Sequence, residues 1–367
     1  MNILCNYYFV FFLQVLTSEY TKVLVFTFNV GNISTFDIQK FLKKYDKRCN
    51  IDYQRFDIIL FNLQEFRQLN YNLDGWKAKK SQMGQLATIV YSKNNVEFQY
   101  ECIGHGVLGF INKGFVISKI GNLVNVNMHL PAHSWKEKER IKSLSYLRTI
   151  LRPFNITTHR IILSGDMNFR IINGEDEGKY TRSVLNKDVT SFFYNEYNVC
   201  FPKTYKYIRG TSNYISNPSK RCWTDRIWYI SNDNITSLSL SNIDKLESNV
   251  NLFNRVKPCI SDIFIYTYNS IVFEEISDHK PVYAKIIIKD INLQESSPIT
   301  LNIGSYKLKL TKIYIFIWTY SILLVVTSLF IILCTLCTFI IKKYPLKFKK
   351  WLHNNLELHY YKKLFYK

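Results

Sequence analysis

The sequence lacks the regular cysteine spacing that marks zinc modules and disulfide frameworks. Its eight cysteines are scattered over 367 residues, and no CxxC pair has partners elsewhere in the chain. Cys334 and Cys337 lie inside an apolar run rather than in a polar metal-binding loop. This pattern argues against zinc and predicts free thiols in a reducing compartment.

Internal repeats are also absent, and acidic residues are in the minority. The chain has 48 Lys and Arg against 28 Asp and Glu, so its formal net charge is +20. The segment from Lys342 to Lys367 alone contains eight lysines and one glutamate. A positive field attracts polyanions such as phospholipid head groups, inositol phosphates or nucleic acids, and charge alone does not choose among them.

No charged residue occurs between Ile313 and Ile341. This run exceeds the ~20 residues that cross a hydrocarbon core, so it predicts a single C-terminal transmembrane helix. The apolar stretch from Asn2 to Leu16 is too short to span and lacks the basic start of a secretory signal. It is either an N-terminal core strand or a signal.

Between these two ends, apolar runs of strand length alternate with a helical pattern. The predicted strands are Lys22–Asn29, Phe56–Phe61, Leu86–Ser92, Gly114–Ile120, Leu123–His129, Arg160–Ser164, Arg226–Ile230, Asp262–Tyr268 and Val282–Ile288. Ser134 to Arg152 is predicted to be a helix that opens with a capping box of Ser134 and Glu137. The Ser/Asn-rich stretch 231–261 is predicted to be a surface insertion.

Five short polar segments follow predicted strands, where their side chains can converge on one end of a sheet. They are FNVGN (Phe28–Asn32), LQE (Leu63–Glu65), NMHLPAH (Asn127–His133), SGDMNFR (Ser164–Arg170) and ISDHKPV (Ile276–Val282). One such segment is weak evidence, because Asp and Asn are common turn residues. Five of them at successive strand ends indicate a polar site.

Together these segments resemble the endonuclease/exonuclease/phosphatase superfamily, whose members cleave phosphoester bonds with a divalent metal. FPKTYKY (Phe201–Tyr207) and CWTDRIWY (Cys222–Tyr229) further resemble the signatures of inositol polyphosphate 5-phosphatases, including synaptojanin-type catalytic domains. The resemblance runs from about Lys22 to Lys289. It implies an α/β fold, specifically a four-layer α/β/β/α sandwich, and a phosphoric monoester hydrolase that depends on Mg²⁺.

The resemblance also implies roles for the residues that match its motifs. Glu65 is expected to bind Mg²⁺, a hard cation that prefers carboxylate, water and phosphate oxygens, and Asn29 is expected to add a carbonyl oxygen. Asp166 is expected to orient or deprotonate the attacking water. Asn168, two residues further along an extended segment, is expected to hold that water or a phosphate oxygen.

Two histidines are expected to donate to the phosphate oxygens as imidazolium groups, His279 and His129. Asp225 resembles the family carboxylate that pairs with the histidine at the position of His279 and raises the pKa of that histidine. Asp278 is expected to support the metal or its waters.

Substrate recognition departs from the family pattern. Tyr205 and Lys206 match a pair that grips a 4-phosphate, but the basic segment expected before Trp223 is out of register. Lys220 and Arg221 supply equivalent charge, or the preference for a 4-phosphate is weakened. The other expected substrate-binding residues are Arg226, Asn127 and Lys113.

The chain is therefore predicted to remove the 5-phosphate of phosphatidylinositol 4,5-bisphosphate, a related lipid or a soluble inositol polyphosphate. The alternatives are another phosphodiesterase of this fold, such as a sphingomyelinase or a nuclease, and a catalytically silent inositide-binding membrane protein. FPKTYK and WTDR argue against the first alternative, and the intact ligand set argues against the second. We expect a phosphoinositide and a membrane as partners, and no nucleic acid.

The expected organisation has five parts, and one question of orientation stays open. Residues 1–18 are the apolar N-terminal segment, 19–290 the catalytic domain, 291–312 a linker, 313–341 the transmembrane helix and 342–367 a basic tail. A phosphoinositide substrate places the catalytic domain in the cytosol, whereas the basic tail favours the cytosol for the opposite end. We expect a cytosolic catalytic domain because of where the substrate lies.

Overall fold

Two six-stranded sheets form the centre of the described chain. The computed structural model describes residues 20–104, 113–187, 189–232, 263–289, 291–293, 299, 304–343 and 350. The expectations for 1–18, for nearly all of the insertion and for most of the basic tail lie outside the described residues. Residues 1–303 and 304–367 form two separate units.

The strands and helices of the first unit are short. The strands are β1 (Tyr20–Asn29), β2 (Thr35–Asp37), β3 (Ile58–Gln64), β4 (Gln68–Asn70), β5 (Lys77–Met83), β6 (Leu86–Ser92), β7 (Phe98–Gly104), β8 (Gly114–Ile120), β9 (Leu123–His129), β10 (Arg160–Asp166), β11 (Ile171–Ile172), β12 (Glu175–Asp176), β13 (Phe193–Glu196), β14 (Asp225–Ser231), β15 (Ile263–Ser270) and β16 (Val282–Lys289). The helices are α1 (Ile38–Tyr45), α2 (Glu137–Leu151) and α3 (Glu177–Asn186), with single 3₁₀ turns at Tyr53–Arg55, Ser134–Lys136 and Pro218–Lys220.

The two sheets repeat one arrangement. The first sheet runs β15-β16-β1-β3-β6-β5, and the second runs β13-β14-β10-β9-β8-β7. In each sheet one central pair is parallel, with Asn29 opposite Gln64 in the first and Asp166 opposite His129 in the second. The carboxyl ends of parallel strands share an edge, which is where polar groups gather in such sheets.

Apolar side chains fill three layers. Val25 and Leu60 of the first sheet pack with Ile162 and Ile227 of the second, so the sheets face each other. Phe26 and Phe61 stack on the outer face of the first sheet under α1, while α2 and α3 cover the outer face of the second. The predicted four-layer α/β/β/α sandwich is confirmed.

A buried polar seam crosses between the sheets. Asn62 and Asn125 exchange side-chain hydrogen bonds of 3.1 and 2.9 Å. Asn127 accepts a 2.8 Å bond from Gln64 and donates a 2.7 Å bond to the carbonyl of Ala87. Because the Asn127 side chain is fully buried and satisfied here, its predicted role in binding substrate is wrong.

Most predicted elements are present, with some corrections. β6, β8 and β9 have the predicted bounds. The predicted capping box is wrong, because Ser134 begins a 3₁₀ turn and α2 starts after Lys136 without a side-chain cap. β5 was not predicted, since its sequence KAKKSQM carries the lysines that protect an exposed sheet edge.

The second unit contains the 40-residue helix α4 (Gly304–Lys343). It begins inside the segment 291–312, which was predicted to be a linker. In the described part of the chain, no helix is long and apolar enough to cross a membrane.

Candidate active site at the strand ends

Asp166, the last residue of β10, lies at the centre of the polar cluster and is almost fully buried. Its Oδ2 accepts a 2.9 Å hydrogen bond from Asn29 Nδ2 and lies 3.2 Å from Nε2 of His129. Its Oδ1 accepts the backbone N–H of Asn168 at 3.0 Å. Burial alone would raise the pKa of Asp166, but His279, His129 and Lys113 hold it far below its usual range. The carboxylate is therefore ionised.

The ring of His279 lies between two carboxylates. Its Nδ1 lies 2.9 Å from Oδ2 of Asp225, and its Nε2 lies 4.0 Å from Oδ2 of Asp166. Thr224 Oγ1 donates a 2.8 Å bond to the same Asp225 oxygen. Burial lowers the pKa of His279, but the two carboxylates outweigh burial and raise it to about 9. His279 is thus an imidazolium at neutral pH.

His129 is in the opposite state. Its ring is fully buried, and Lys113 Nζ contacts the same Nε2 that faces Asp166. Burial lowers the pKa of His129, and the charge of Lys113 lowers it further. The neutral ring is therefore favoured, because a lysine already supplies the positive charge at that nitrogen, and the predicted role of His129 as a donor to a phosphate oxygen stays a prediction.

Glu65 stands at the open side of the cluster, immediately after β3. Its backbone φ of +55° is rare for a residue with a side chain, and such strain gathers at functional sites. Its Oε1 lies 3.7 Å from Nε2 of His129, and its Oε2 accepts a 3.2 Å bond from Asn32. Glu65 and Asp166 thus approach the same imidazole nitrogen.

Two sets of side chains could hold a metal ion. Asp166, Asp225 and His279 offer ligand atoms within 4.8 Å of one another. In that set, however, Nδ1 of His279 already bonds Asp225, and a charged imidazole cannot bind a cation. Glu65 and Asp166 offer hard oxygen atoms instead, which fit Mg²⁺ or Ca²⁺. Asn29 fits less well than expected, because its Oδ1 accepts the N–H of Gly31 at 3.0 Å.

Asn168 differs from its prediction. Its φ of +55° takes the chain out of the extended conformation, so it does not follow Asp166 on one face of a strand. Its Nδ2 donates to the carbonyl of Leu130 at 2.9 Å, and its Oδ1 accepts a 2.7 Å bond from Arg170. Asn168 therefore holds the turn that carries Asp166.

Tyr205, Lys206 and Asp278 lie together beside the cluster. The Tyr205 ring packs against the His279 ring at a centroid distance of 4.6 Å. Lys206 Nζ lies 3.7 Å from Oδ2 of Asp278, and Arg209 donates a 3.2 Å bond to the other oxygen of that carboxylate. Asp278 thus pairs with two partly exposed cations. Arg209 was not among the predicted substrate-binding residues, although it is a basic residue only three positions after Lys206.

The other basic residues predicted to bind substrate lie elsewhere. Arg226 is 1% exposed and forms ion pairs with Asp176 and Glu196, so its predicted role is wrong. Arg221 donates to the carbonyl of Ile215 and lies over the Tyr214 ring. Lys220 is exposed in a 3₁₀ turn, and no ion pair joins it to a described residue.

A comparison with sequence models identifies the family, and two curated proteins are similar to the chain. A sequence model of the family described as Endonuclease/Exonuclease/phosphatase family 2 matches residues 76–285. The chain is 31% identical over 186 residues to Inositol polyphosphate 5-phosphatase K of Mus musculus, covering 43% of this chain and 36% of the mouse protein. It is 23% identical over 313 residues to Type IV inositol polyphosphate 5-phosphatase 11 of Arabidopsis thaliana, covering 74% and 83% of the two chains. The match thus spans only about a third of the mouse protein.

A solved structure supports the fold. The inositol polyphosphate 5-phosphatase domain of SPsynaptojanin, in complex with inositol (1,4)-bisphosphate and a calcium ion, has a TM-score of 0.53. The likeness covers 83% of this chain and 92% of that domain at 19% sequence identity. At this identity the likeness shows a shared fold.

Proposed function

Because the chain belongs to the Endonuclease/Exonuclease/phosphatase family 2, we propose that it hydrolyses the 5-phosphate of inositol polyphosphates, with phosphatidylinositol 4,5-bisphosphate as a substrate. The relatives whose names include inositol polyphosphate 5-phosphatase support this substrate class. So does the cationic pair, Lys206 and Arg209, beside the polar cluster.

One observation carries the proposal: an ionised, buried Asp166 lies between a cationic and a neutral histidine. A carboxylate with so low a pKa is a weak base, so Asp166 orients the attacking water by accepting its hydrogen bond. Asn29 holds Oδ2 and the backbone of Asn168 holds Oδ1, which fixes the direction of that bond. This orientation accelerates hydrolysis, because a water that is already in line with the scissile P–O bond needs little rearrangement to reach the transition state.

The histidines and the lysine stabilise charge on the transferring phosphoryl group. His279 presents Nε2 as a donor, since Asp225 occupies its Nδ1. Lys113 brings a second positive charge next to His129. Such preorganised donors act in a site shielded from water, where each of them is worth more than in solution.

Glu65 and Asp166 would hold the divalent metal, and we propose Mg²⁺. A bound divalent ion supplies Lewis-acid stabilisation of phosphate oxygens. The Glu65 side chain is 23% exposed, which leaves room for the waters that Mg²⁺ keeps in most sites.

We also propose that α4 attaches the chain to a membrane, with the catalytic unit on the cytosolic side. Its described side chains Leu324, Phe330 and Leu333 are each at least 60% exposed, which is costly in water. A membrane tether would raise the local concentration of a lipid substrate. Protease protection of an epitope at each terminus in microsomes tests the orientation, and protection of the catalytic side would overturn it.

Phosphate release by the full chain in detergent tests the activity. We expect release from short-chain phosphatidylinositol 4,5-bisphosphate with Mg²⁺ and none with EDTA, while sphingomyelin and plasmid DNA stay intact. Turnover of sphingomyelin or DNA without inositide turnover would favour another phosphodiesterase of this fold. Inositide binding without any phosphate release would favour a silent binding module.

A further inference from the structure

A cavity of about 540 Å³ lies at the end of the sandwich opposite the polar cluster. It is lined by Arg148 in the last turn of α2, by residues that follow α2, including Arg152 and Phe154, and by residues that precede β13, including Ser191 and Phe192. These segments lie near Arg160, where β10 begins, whereas Asp166 ends the same strand. Six residue steps of a strand separate the two ends by about 20 Å. The cavity is therefore separate from the site described above.

The cavity has an excess of positive charge. Arg148 and Arg152 are four residues apart on α2 and its carboxyl-terminal cap, so they lie on one helical face. None of the described lining residues is acidic, and Asp188 lies outside the described residues. Within the described chain, Arg152 has no ion pair and no side-chain hydrogen bond.

Arg148 is only partly satisfied. Its Nη1 donates to the carbonyl of Leu185 at 2.6 Å, its Nη2 donates to Oδ1 of Asn186 at 3.4 Å, and its guanidinium lies 4.7 Å from the Tyr194 ring centre. Its Nε is buried and has no hydrogen-bond partner in the described part of the chain. Arg148 also lines the cavity, and its two terminal nitrogens carry more N–H donors than the acceptors on Leu185 and Asn186 use, so the remaining donors are available to a ligand.

The carboxyl ends of α2 and α3 meet at this place, and each adds a partial negative charge of about half a unit. The bond from Arg148 to Leu185 offsets the charge of α3. The full charge of Arg152 still exceeds the remaining partial charge of α2, so the cavity favours an anion.

The walls also contain strained and apolar parts. Phe192 has a φ of +73°, an unusual conformation for a bulky residue, and its side chain is 8% exposed. Pro153, Phe154 and Ile156 complete an apolar side, while Thr190 and Ser191 offer hydroxyl donors. A ligand that matches both sides carries an anionic group on an organic body, and the volume suits a small molecule.

We propose that this cavity binds a small organic phosphate monoester, with the phosphate group on Arg148 and Arg152. Guanidinium groups pair with phosphate oxygens through charge-assisted hydrogen bonds, often two at a time. The monoester is either a soluble metabolite or the head group of a phospholipid, since both present the same phosphate.

Calorimetric titration of the full chain in EDTA tests this site without turnover. The probes are glycerol 3-phosphate and dihexanoyl phosphatidic acid, both soluble. We expect Arg152→Glu and Arg152→Gln to weaken binding about tenfold or more. Tighter binding of phosphatidic acid would identify a lipid ligand, and equal binding a soluble one.

Two control variants keep the test specific. Lys142→Glu makes the same charge change at an exposed position of α2 away from the cavity, and it should bind both probes as the wild type does. Lys206→Glu alters the polar cluster and should also retain this binding. An equal loss in Lys142→Glu, unchanged binding in Arg152→Glu, or no binding of either probe would overturn the proposal.

Discussion

Nδ1 of His279 lies 2.9 Å from Oδ2 of Asp225, and this contact separates the two histidines of the site into different charge states. His279 gains a buried carboxylate partner, whereas His129 has Lys113 against its Nε2. The first pKa is raised to about 9 and the second is lowered below its usual value. Asp166 therefore faces one charged donor and one neutral ring.

The charge of His279 can be followed by NMR titration of its ring protons in EDTA. The ordinary pKa of a histidine is 6.5, and the pKa of His279 in the folded protein is about 9. Because the folded pKa is the higher one, this group stabilises the fold fully below about pH 6.5, and the contribution is lost as the pH rises through about 9. We expect the titration midpoint to fall by at least about one unit in Asp225→Asn, because the amide cannot stabilise the charged ring. A midpoint near 6.5 in the wild type would contradict the ion pair.

Asp166→Asn should remove activity without unfolding the chain. The amide keeps the size of the side chain but cannot hold the water with two acceptor oxygens, so phosphate release should fall about 10²–10³-fold. Asp74→Asn is the matched control, since this carboxylate is exposed and lies on another part of the surface. Thermal unfolding should show both variants folded. Retained activity in Asp166→Asn would exclude its proposed role.

The sequence was most informative about the side chains that directly end a strand, because the end of a buried strand can be read from its apolar residues. Asp166 and His129 end a parallel strand pair of the second sheet, and Asn29 reaches Asp166 from the end of β1 in the first sheet. The direction of side chains along β14 was not predictable from a motif. Asp225 and Arg226 are adjacent in that strand, so they point to opposite faces. The first meets His279, and the second meets Asp176 and Glu196 under α3.

Fold and site also depended on contacts between distant segments. Strands β8 and β9 are fully buried and rich in apolar residues, which made their bounds predictable. The pKa of His129 depends on Lys113, which reaches it from the preceding strand end, so residue type alone did not fix its charge.

Arg226→Met should destabilise the protein and leave substrate affinity unchanged. The guanidinium is 1% exposed and lies between two carboxylates, and its removal leaves buried Glu196 without its main partner. We expect the free energy of unfolding to fall by about 3–5 kcal/mol. Urea unfolding measures this change, and Arg55→Met, at an exposed ion pair, should stay within about 0.5 kcal/mol. A raised KM with unchanged stability would restore the substrate-binding role.

Glu65→Gln should weaken metal binding more than it weakens the fold. The amide keeps one oxygen but loses the negative charge that attracts a divalent cation. The Mg²⁺ concentration for half-maximal phosphate release should rise about 10–100-fold, as for other changes at metal ligands. Saturating Mg²⁺ should recover much of the activity. An unchanged Mg²⁺ requirement in Glu65→Gln would show that the metal binds elsewhere. Glu101→Gln on β7 is the control for the loss of one carboxylate.

Lys206 and Lys220 were both predicted to bind substrate, and the structure separates them. Lys206 is 38% exposed beside Asp278, next to the ring of Tyr205 that packs on His279. Lys220 lies in an exposed turn, and no ion pair joins it to a described residue. Lys206→Ala should therefore raise KM for phosphatidylinositol 4,5-bisphosphate about tenfold, while Lys220→Ala should leave it unchanged.

The comparison of two substrates shows which phosphate Lys206 contacts. If it binds the 4-phosphate, Lys206→Ala should lose affinity for phosphatidylinositol 4,5-bisphosphate and not for phosphatidylinositol 5-phosphate. kcat should change little in either case, because an interaction made equally in the ground state and the transition state alters KM alone. Equal losses on both substrates would assign Lys206 to the reacting phosphate, and a loss in Lys220→Ala of the same size would show that the 3₁₀ turn closes over the substrate.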